Sequence, residues 1–216
     1  MAEPCRDLNI WPPHALRITC ASTELRVLRE SDIPALLALK AEGITQPGIP
    51  QSFVSPWYQR PDEEAISYWY QRMAQNGKRD CTLALVVRDH GEVAGMQDFS
   101  GEATQALRSM ETGSWLGRRF HGRGIGTRMR QMALAFAFDH LGMKEMRSGA
   151  HVENWASRRV SEKCGYQADG TERIKAPTGD GYEVNVRYRV TPQTFVRPTA
   201  TIEYEGVEEL KRYLGI

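Results

Sequence analysis

The sequence predicts a mixed α/β fold organised around one domain. Three observations carry that prediction. Short stretches with alternating apolar residues are interleaved with stretches whose apolar residues recur every third or fourth position. The chain of 216 residues is 41% hydrophobic and 25% charged, a balance that supports a substantial buried core. A glycine-spaced segment, Gly122-Arg123-Gly124-Ile125-Gly126, joins the end of one alternating stretch to the start of a long periodic one.

Taken in order, residues 1–23 form an N-terminal arm, interrupted by Trp11-Pro12-Pro13. Glu24 to Leu28 reads as the first strand. Ser31 and Asp32 signal a helix start, with Pro34 in the first turn and Leu36, Leu37 and Leu39 apolar. Residues 43–60 hold Gly43, Pro47, Gly48, Pro50 and Pro56 and form a loop. A second helix opens at Pro61-Asp62-Glu63-Glu64, where acids suit the positive end of the helix dipole. Its expected buried stripe is Ile66, Trp69, Tyr70 and Met73, and Asn76-Gly77 ends it.

A sheet follows. Leu83, Leu85 and Val87 alternate, His90-Gly91 turns, and Val93 to Phe99 returns. The strand that carries Glu111 comes next. The helix after the glycine segment buries Ile125, Met129, Met132, Ala133 and Phe136 and stops at Gly142. Lys144 to His151 reads as a strand, and Asn154 caps a helix that ends at Gly165. Thr178-Gly179-Asp180-Gly181 turns into a strand with Tyr182, Val184, Val186, Tyr188 and Val190 in alternation. The domain is expected over residues 24–191, and residues 192–216 form a tail with a short helix near Val207–Leu214. The arm and the tail are free to pack on their own domain or on a second copy, so an oligomer stays open.

Composition narrows the function classes. A net charge of +1, from 28 basic and 27 acidic side chains, argues against broad nucleic-acid binding. No apolar run approaches the roughly 18–20 residues of a membrane span. The start, Met1-Ala2-Glu3-Pro4-Cys5-Arg6-Asp7, lacks an apolar signal core, so a cytoplasmic location is expected. The cysteines at 5, 20, 81 and 164 show no C-x-x-C spacing. They read as free thiols, and no metal site is expected.

Gly122, Gly124 and Gly126 let the main chain approach a ligand closely. The orphan amides of the following helix and its dipole converge on the same point, which makes an anion site. Arginines 118, 119, 123, 128 and 130 crowd the region, as a diphosphate ligand would favour. A dinucleotide fingerprint needs G-x-G-x-x-G, and the spacing here is G-x-G-x-G. A triphosphate loop needs Lys-Ser/Thr where Arg123-Gly124 stands. A third pattern, [Q/R]-x-x-G-x-[G/A], fits from His121 to Gly126 except at its first position.

With that turn the chain resembles the GNAT superfamily of acyl-CoA-dependent N-acetyltransferases. Glu111-Thr112-Gly113-Ser114-Trp115-Leu116 resembles the E-x-G-x-W-L strand of its ribosomal-protein N-terminal acetyltransferase subgroup. The segment from Asn154 to Tyr166 resembles that subgroup's N-x-x-S-x-x-V-x-E-K-x-G-[FY]. The likeness runs from about Glu24 to about Thr191. It implies a mostly antiparallel central sheet, splayed between the fourth and fifth strands, with helices on both faces. It implies acetyl transfer from acetyl-CoA, without a metal, to a primary amine, either a protein N-terminus or a small molecule, by direct attack in a ternary complex.

The same resemblance distributes roles. Gly122, Arg123, Gly124, Ile125, Gly126 and Thr127 are expected on the CoA pyrophosphate. The pantetheine arm is expected along Trp115-Leu116-Gly117, pairing like an added strand. An N–H near Leu116 would polarise the thioester carbonyl. His121, in place of Gln or Arg, either donates to a phosphate oxygen or is an exposed turn residue. Glu111 is the first candidate for the base, against a structural pairing with an arginine. His151 and Glu153 are in reserve, His151 more readily as a structural histidine. Asn154 is expected to bond the pantetheine as well as cap its helix. The tyrosine many relatives use to protonate the thiolate is Ser161 here, and Ser157 matches a serine of the subgroup. Either hydroxyl is a candidate donor. Cys164 reads as a core residue and not a nucleophile. Phe53, Trp57, Tyr58, Tyr68 and Trp69 line an acceptor pocket or simply pack. The departures at His121 and Ser161 keep one alternative open: an acyl-CoA-binding sensor or partner subunit without turnover.

Overall fold

The computed structural model describes residues 11–45, 57–75, 82–101, 104–176 and 181–216. A hairpin of β1 (Arg17–Cys20) and β2 (Thr23–Val27) leads to helices α1 (Ile33–Glu42) and α2 (Asp62–Ala74). Strands β3 (Leu83–Asp89) and β4 (Glu92–Ser100) form a second hairpin, followed by the single turn α3 (Thr104–Leu107). Then come β5 (Ser109–Leu116), α4 (Ile125–Asp139), β6 (Glu145–His151) and α5 (Trp155–Lys163). The chain closes with the antiparallel pair β7 (Gln167–Lys175) and β8 (Tyr182–Val190), then β9 (Ile202–Glu205) and α6 (Val207–Leu214).

The strands form one sheet in the order β7-β8-β6-β5-β4-β3-β2-β1-β9. Every neighbouring pair is antiparallel except β5 and β6, which run parallel. The mixed α/β fold is the one the element order predicts, and the mostly antiparallel sheet is the one the resemblance implies. Two segments outside the expected domain join it. Strand β1 lies in the N-terminal arm and pairs with β2 on one side and with β9, from the tail, on the other. Each has four residues, too few for alternation to show in the sequence. Trp11 then packs on Tyr213 of α6, ring centroids 5.3 Å apart. Among the described residues no helix is long and apolar enough to cross a membrane.

Helices cover both faces, and β3 shows why its sequence is so apolar. Leu83, Leu85 and Val87 face a core cluster with Met129, Met132, Ala133 and Phe136 of α4. Ala84 and Val86 face a second cluster with Leu36 of α1 and Ala65 and Trp69 of α2. A strand buried on both faces has no polar side. One expected core position is corrected. Tyr70 is 44% exposed, because the buried arc of α2 centres on Ala65 and Trp69 and the next position turns outward. Asn76-Gly77, Phe53 and the turn residues 178–180 lie outside the described residues.

Candidate active site

Strand β5 pairs with β6 only over Ser109↔Glu145, Met110↔Met146 and Glu111↔Arg147. Beyond Glu111 the strands part, while β5 stays laddered to β4 from Ser100↔Glu111 to Gly95↔Leu116. This is the splay expected between the fourth and fifth strands of the sequence reading. Side chains close its apex. The Thr112 hydroxyl donates to the Arg147 carbonyl at 3.2 Å, and the Ser148 hydroxyl to the Thr112 carbonyl at 3.3 Å.

Arg130 of α4 spans the opening from beneath. Its Nε donates to Gln97 Oε1 at 3.1 Å, Nη1 to Ser148 Oγ at 3.2 Å and Nη2 to Ser114 Oγ at 2.6 Å. It is 3% exposed, and all three acceptors are neutral. One guanidinium thus ties β4, β5 and β6 together where the ladder has been given up. The fixed fork geometry of arginine suits three divergent acceptors.

The glycine turn sits at the open end. After Leu116 a single 3-10 turn, Arg118–Phe120, leads to His121. Gly122 and Gly124 take φ values of +75° and +78°, a region costly to other residues, and a Cβ on either would meet nothing within 4 Å. Among the described residues the N–H groups of 122–127 donate to no acceptor, and Arg128 N is the first to close a helical bond, to the Gly124 carbonyl. A run of unpaired amides therefore opens onto free space at a helix start, as a phosphate cradle requires. A Cβ on Gly126 would come 3.4 Å from Val160 and 3.8 Å from Leu116, ordinary van der Waals contact, so β5, α4 and α5 meet here.

The arginines do not act as one patch. Arg118 bonds the Glu42 carbonyl, Arg119 pairs with Glu42 and Glu92, and Arg128 bonds Thr23 and pairs with Asp89. Arg130 is buried, as described. Arg123 lies over the Phe120 ring at 5.6 Å and stays beside the turn. His121 is turned inward, with Nε2 3.0 Å from the Leu116 carbonyl oxygen, so its ring braces the turn.

Across the opening, Asn154 is the N-cap of α5, its Oδ1 accepting from Ser157 N at 3.1 Å. Ser157 is partly exposed beside it, whereas Ser161 is 1% exposed with a hydroxyl that has no hydrogen-bond partner. His151 is buried. Its Nδ1 accepts from Glu153 N at 3.2 Å, and its Nε2 lies 3.6 Å from Glu183, while Glu153 itself is exposed. Cys164 is fully buried, and burial pushes its thiol up to about 11. A thiol held that high carries little nucleophilic thiolate at neutral pH.

Two carboxylates share the α1/α2 face of the β4–β5 ladder. Glu111 is held by Arg187, which reaches across Gly149 and donates to both its oxygens at 2.9 and 3.2 Å and to Glu172 at 3.2 Å. Asp98 lies opposite Gly113 and belongs to none of the sequence motifs. An acid inside the apolar run Val93 to Phe99 was the available signal. Asp98 opens into a cavity of about 430 Å³ walled by Trp57, Tyr68, Trp69 and Trp115. Three of the expected acceptor residues are therefore brought together, and Tyr58 is buried outside that wall.

The family described as Acetyltransferase (GNAT) domain matches residues 23–167. A Bacillus subtilis (strain 168) protein, provisionally named ribosomal N-acetyltransferase YdaF, is 33% identical over 95 residues. That match covers 44% of this chain and 48% of YdaF, so the chain spans about half the length of this curated relative. Mycobacterium smegmatis RimJ, solved with CoA-disulfide, superposes with a TM-score of 0.67 at 18% identity, over 93% of this chain and 94% of RimJ. Vibrio cholerae spermidine N-acetyltransferase, solved with CoA and spermine, gives 0.62 at 18% identity, over 81% of this chain and 98% of that one. Likeness at such identities concerns the fold.

Proposed function

Because this chain belongs to the GNAT acetyltransferase family, we propose that it transfers an acetyl group from acetyl-CoA to a primary amine by direct attack in a ternary complex. The observation that carries the reading is the run of unpaired amides at 122–127, placed at the mouth of a sheet that opens beyond Glu111. The amides and the α4 dipole hold the pyrophosphate, with Arg123 beside them. The pantetheine lies along Trp115-Leu116-Gly117 in the gap that β6 vacates. The side-chain amide of Asn154, whose oxygen already caps α5, offers its NH₂ to the arm. A main-chain N–H near Leu116 faces the thioester oxygen and stabilises the charge that grows on it. Such a donor is worth about 3 kcal/mol in the barrier.

Attack needs an unprotonated amine, and the α1/α2 face offers two carboxylates to take the proton, Glu111 and Asp98. The leaving thiolate is stable near neutral pH, and Ser157 is the better placed of the two hydroxyls to protonate it, since Ser161 is sealed from the gap's solvent. With Cys164 buried and its thiol pushed up, direct attack is favoured over an acetyl-enzyme on that thiol. The ribosomal N-acetyltransferase name of YdaF points to an amine on the ribosome, and the spermidine enzyme to a small one. Thiol release from acetyl-CoA, assayed with peptides bearing free N-termini and with small amines, tests the proposal. Release with an acetylated product supports it. Tight CoA binding with no release for any amine would identify a binding module instead.

A further inference from the structure

We propose that Asp98 binds the acceptor's ammonium and removes its proton, inside an aromatic cage that selects a primary amine carrying a compact apolar group. This rests on the acetyl-transfer reading and names the acceptor side of that same site.

The geometry has three parts. First, the cavity of about 430 Å³ is walled by Trp57, Tyr68, Trp69 and Trp115. The Trp57 ring packs on Trp115 at 5.2 Å and on Trp69 at 6.5 Å, centroid to centroid, so the three indoles form one continuous aromatic wall. Such a volume holds a small ligand, and such faces attract a cation. Second, Asp98 Oδ1 is buried and accepts no hydrogen bond. An unmet carboxylate oxygen beside an apolar wall is costly and stands ready for a donor. Third, Asp98 pairs across the ladder with Gly113, where a Cβ would meet nothing within 4 Å. The way from Asp98 over β5 into the gap is therefore clear.

The other charges around the cavity leave this acceptor free. Arg60 and Glu64 pair with each other at 3.2 Å and are half exposed. Arg72 of α2 donates to the Phe99 carbonyl at 3.2 Å and lies 5.8 Å from the Tyr68 ring. Glu111 is diagonal to Asp98 on the same face, but it opens into a different cavity, beside Glu145 and Arg147. Its two oxygens are engaged by Arg187, so acting as base would mean breaking a bidentate pair. Burial pushes the Asp98 carboxyl up to about 6, against the pull of Arg72, which brings it near the pH at which a base works best.

The protons balance. Asp98 carboxylate takes one proton from R-NH₃⁺ and becomes the acid. The freed nitrogen attacks the thioester carbon, the C–S bond breaks, and the amide nitrogen's surplus proton passes to the CoA thiolate. Asp98 then releases its proton to water.

Phenethylamine and 2-phenylethanol, equal in shape and different in charge, serve as probes of tryptophan fluorescence in the full chain. The intact protein is expected to prefer the amine by about tenfold or more, and Asp98→Asn to lose that preference while still binding acetyl-CoA. Asp98→Glu, which keeps the charge, should retain it. Thiol release by Asp98→Asn should fall about a hundredfold or more. A variant that keeps the amine preference, or keeps its turnover, overturns the proposal and leaves the acetyl-transfer reading standing. A preference that depends on Asp98 without thiol release for any amine keeps the ammonium site and overturns the transferase reading. A peptide with phenylalanine at its free N-terminus, run beside phenethylamine, shows whether the ammonium is that of a peptide or of a free amine.

Discussion

Asp98 and Gly113 face each other across the β4–β5 ladder, which sets a carboxylate beside a strand position without a side chain. Gly113 is not in a left-handed conformation, and a Cβ there meets nothing within 4 Å. Gly113→Val should therefore fold normally. It would fill the passage between Asp98 and the gap, and misplacing the amine by an ångström costs about a hundredfold in rate. Steady-state kinetics should show that loss in kcat/KM for the amine, with acetyl-CoA affinity at the wild-type value. Equal loss of both would mean that the substitution disturbs the whole site.

The Asp98 carboxyl also shapes stability. Its folded value, about 6, lies above the ordinary 3.8, so the folded protein holds the proton more tightly than the unfolded chain. The contribution is fully present below about pH 4 and is lost as pH rises through about 6. The penalty for keeping the carboxylate charged above that window is about 3 kcal/mol at most. Asp98→Asn should be more stable than wild type near pH 8, with the advantage vanishing near pH 4. Urea unfolding at both pH values measures it, and an advantage independent of pH contradicts the assignment.

Arg130 holds the opening of the sheet. Arg130→Met would strand Gln97 Oε1, Ser114 Oγ and Ser148 Oγ at the fork. The loss should be on the order of 3 kcal/mol in chemical unfolding, with slower transfer because β5 and β6 are no longer tied. Unfolding at the wild-type midpoint would show that the fork is held by other means.

Cys164 is a packing residue whose Sγ lies 3.7 Å from the Thr127 carbonyl. Cys164→Ala should cost about 1 kcal/mol and leave transfer intact. Mass spectrometry after incubation with acetyl-CoA alone should show no acetylated enzyme. A stable acetyl adduct at Cys164 would replace direct attack with a covalent route.

Much of this was legible in the sequence. The glycine spacing at 122–126, the Asn154 cap and the apolar period of α4 are local patterns, and the structure keeps each where the spacing puts it. What local pattern does not carry is pairing at long range. Nothing in Arg17–Cys20 or Ile202–Glu205 announces that the two strands will lie side by side. Arg130 sits among exposed-looking arginines, and its burial depends on three partners from three strands. Glu111 meets an arginine 76 positions later, a partner that no local spacing identifies. The role of Asp98 is not local either, because the alternation of β4 marks a buried strand without revealing which cavity each residue meets.

Cofactor binding rests on the free amides that open α4. Amide resonances of isotope-labelled protein, followed while CoA is added, test this directly. Shifts at residues 122–127 and at Asn154, with α6 unaffected, are the predicted result. Saturation with CoA that leaves the 122–127 amides unmoved would contradict it.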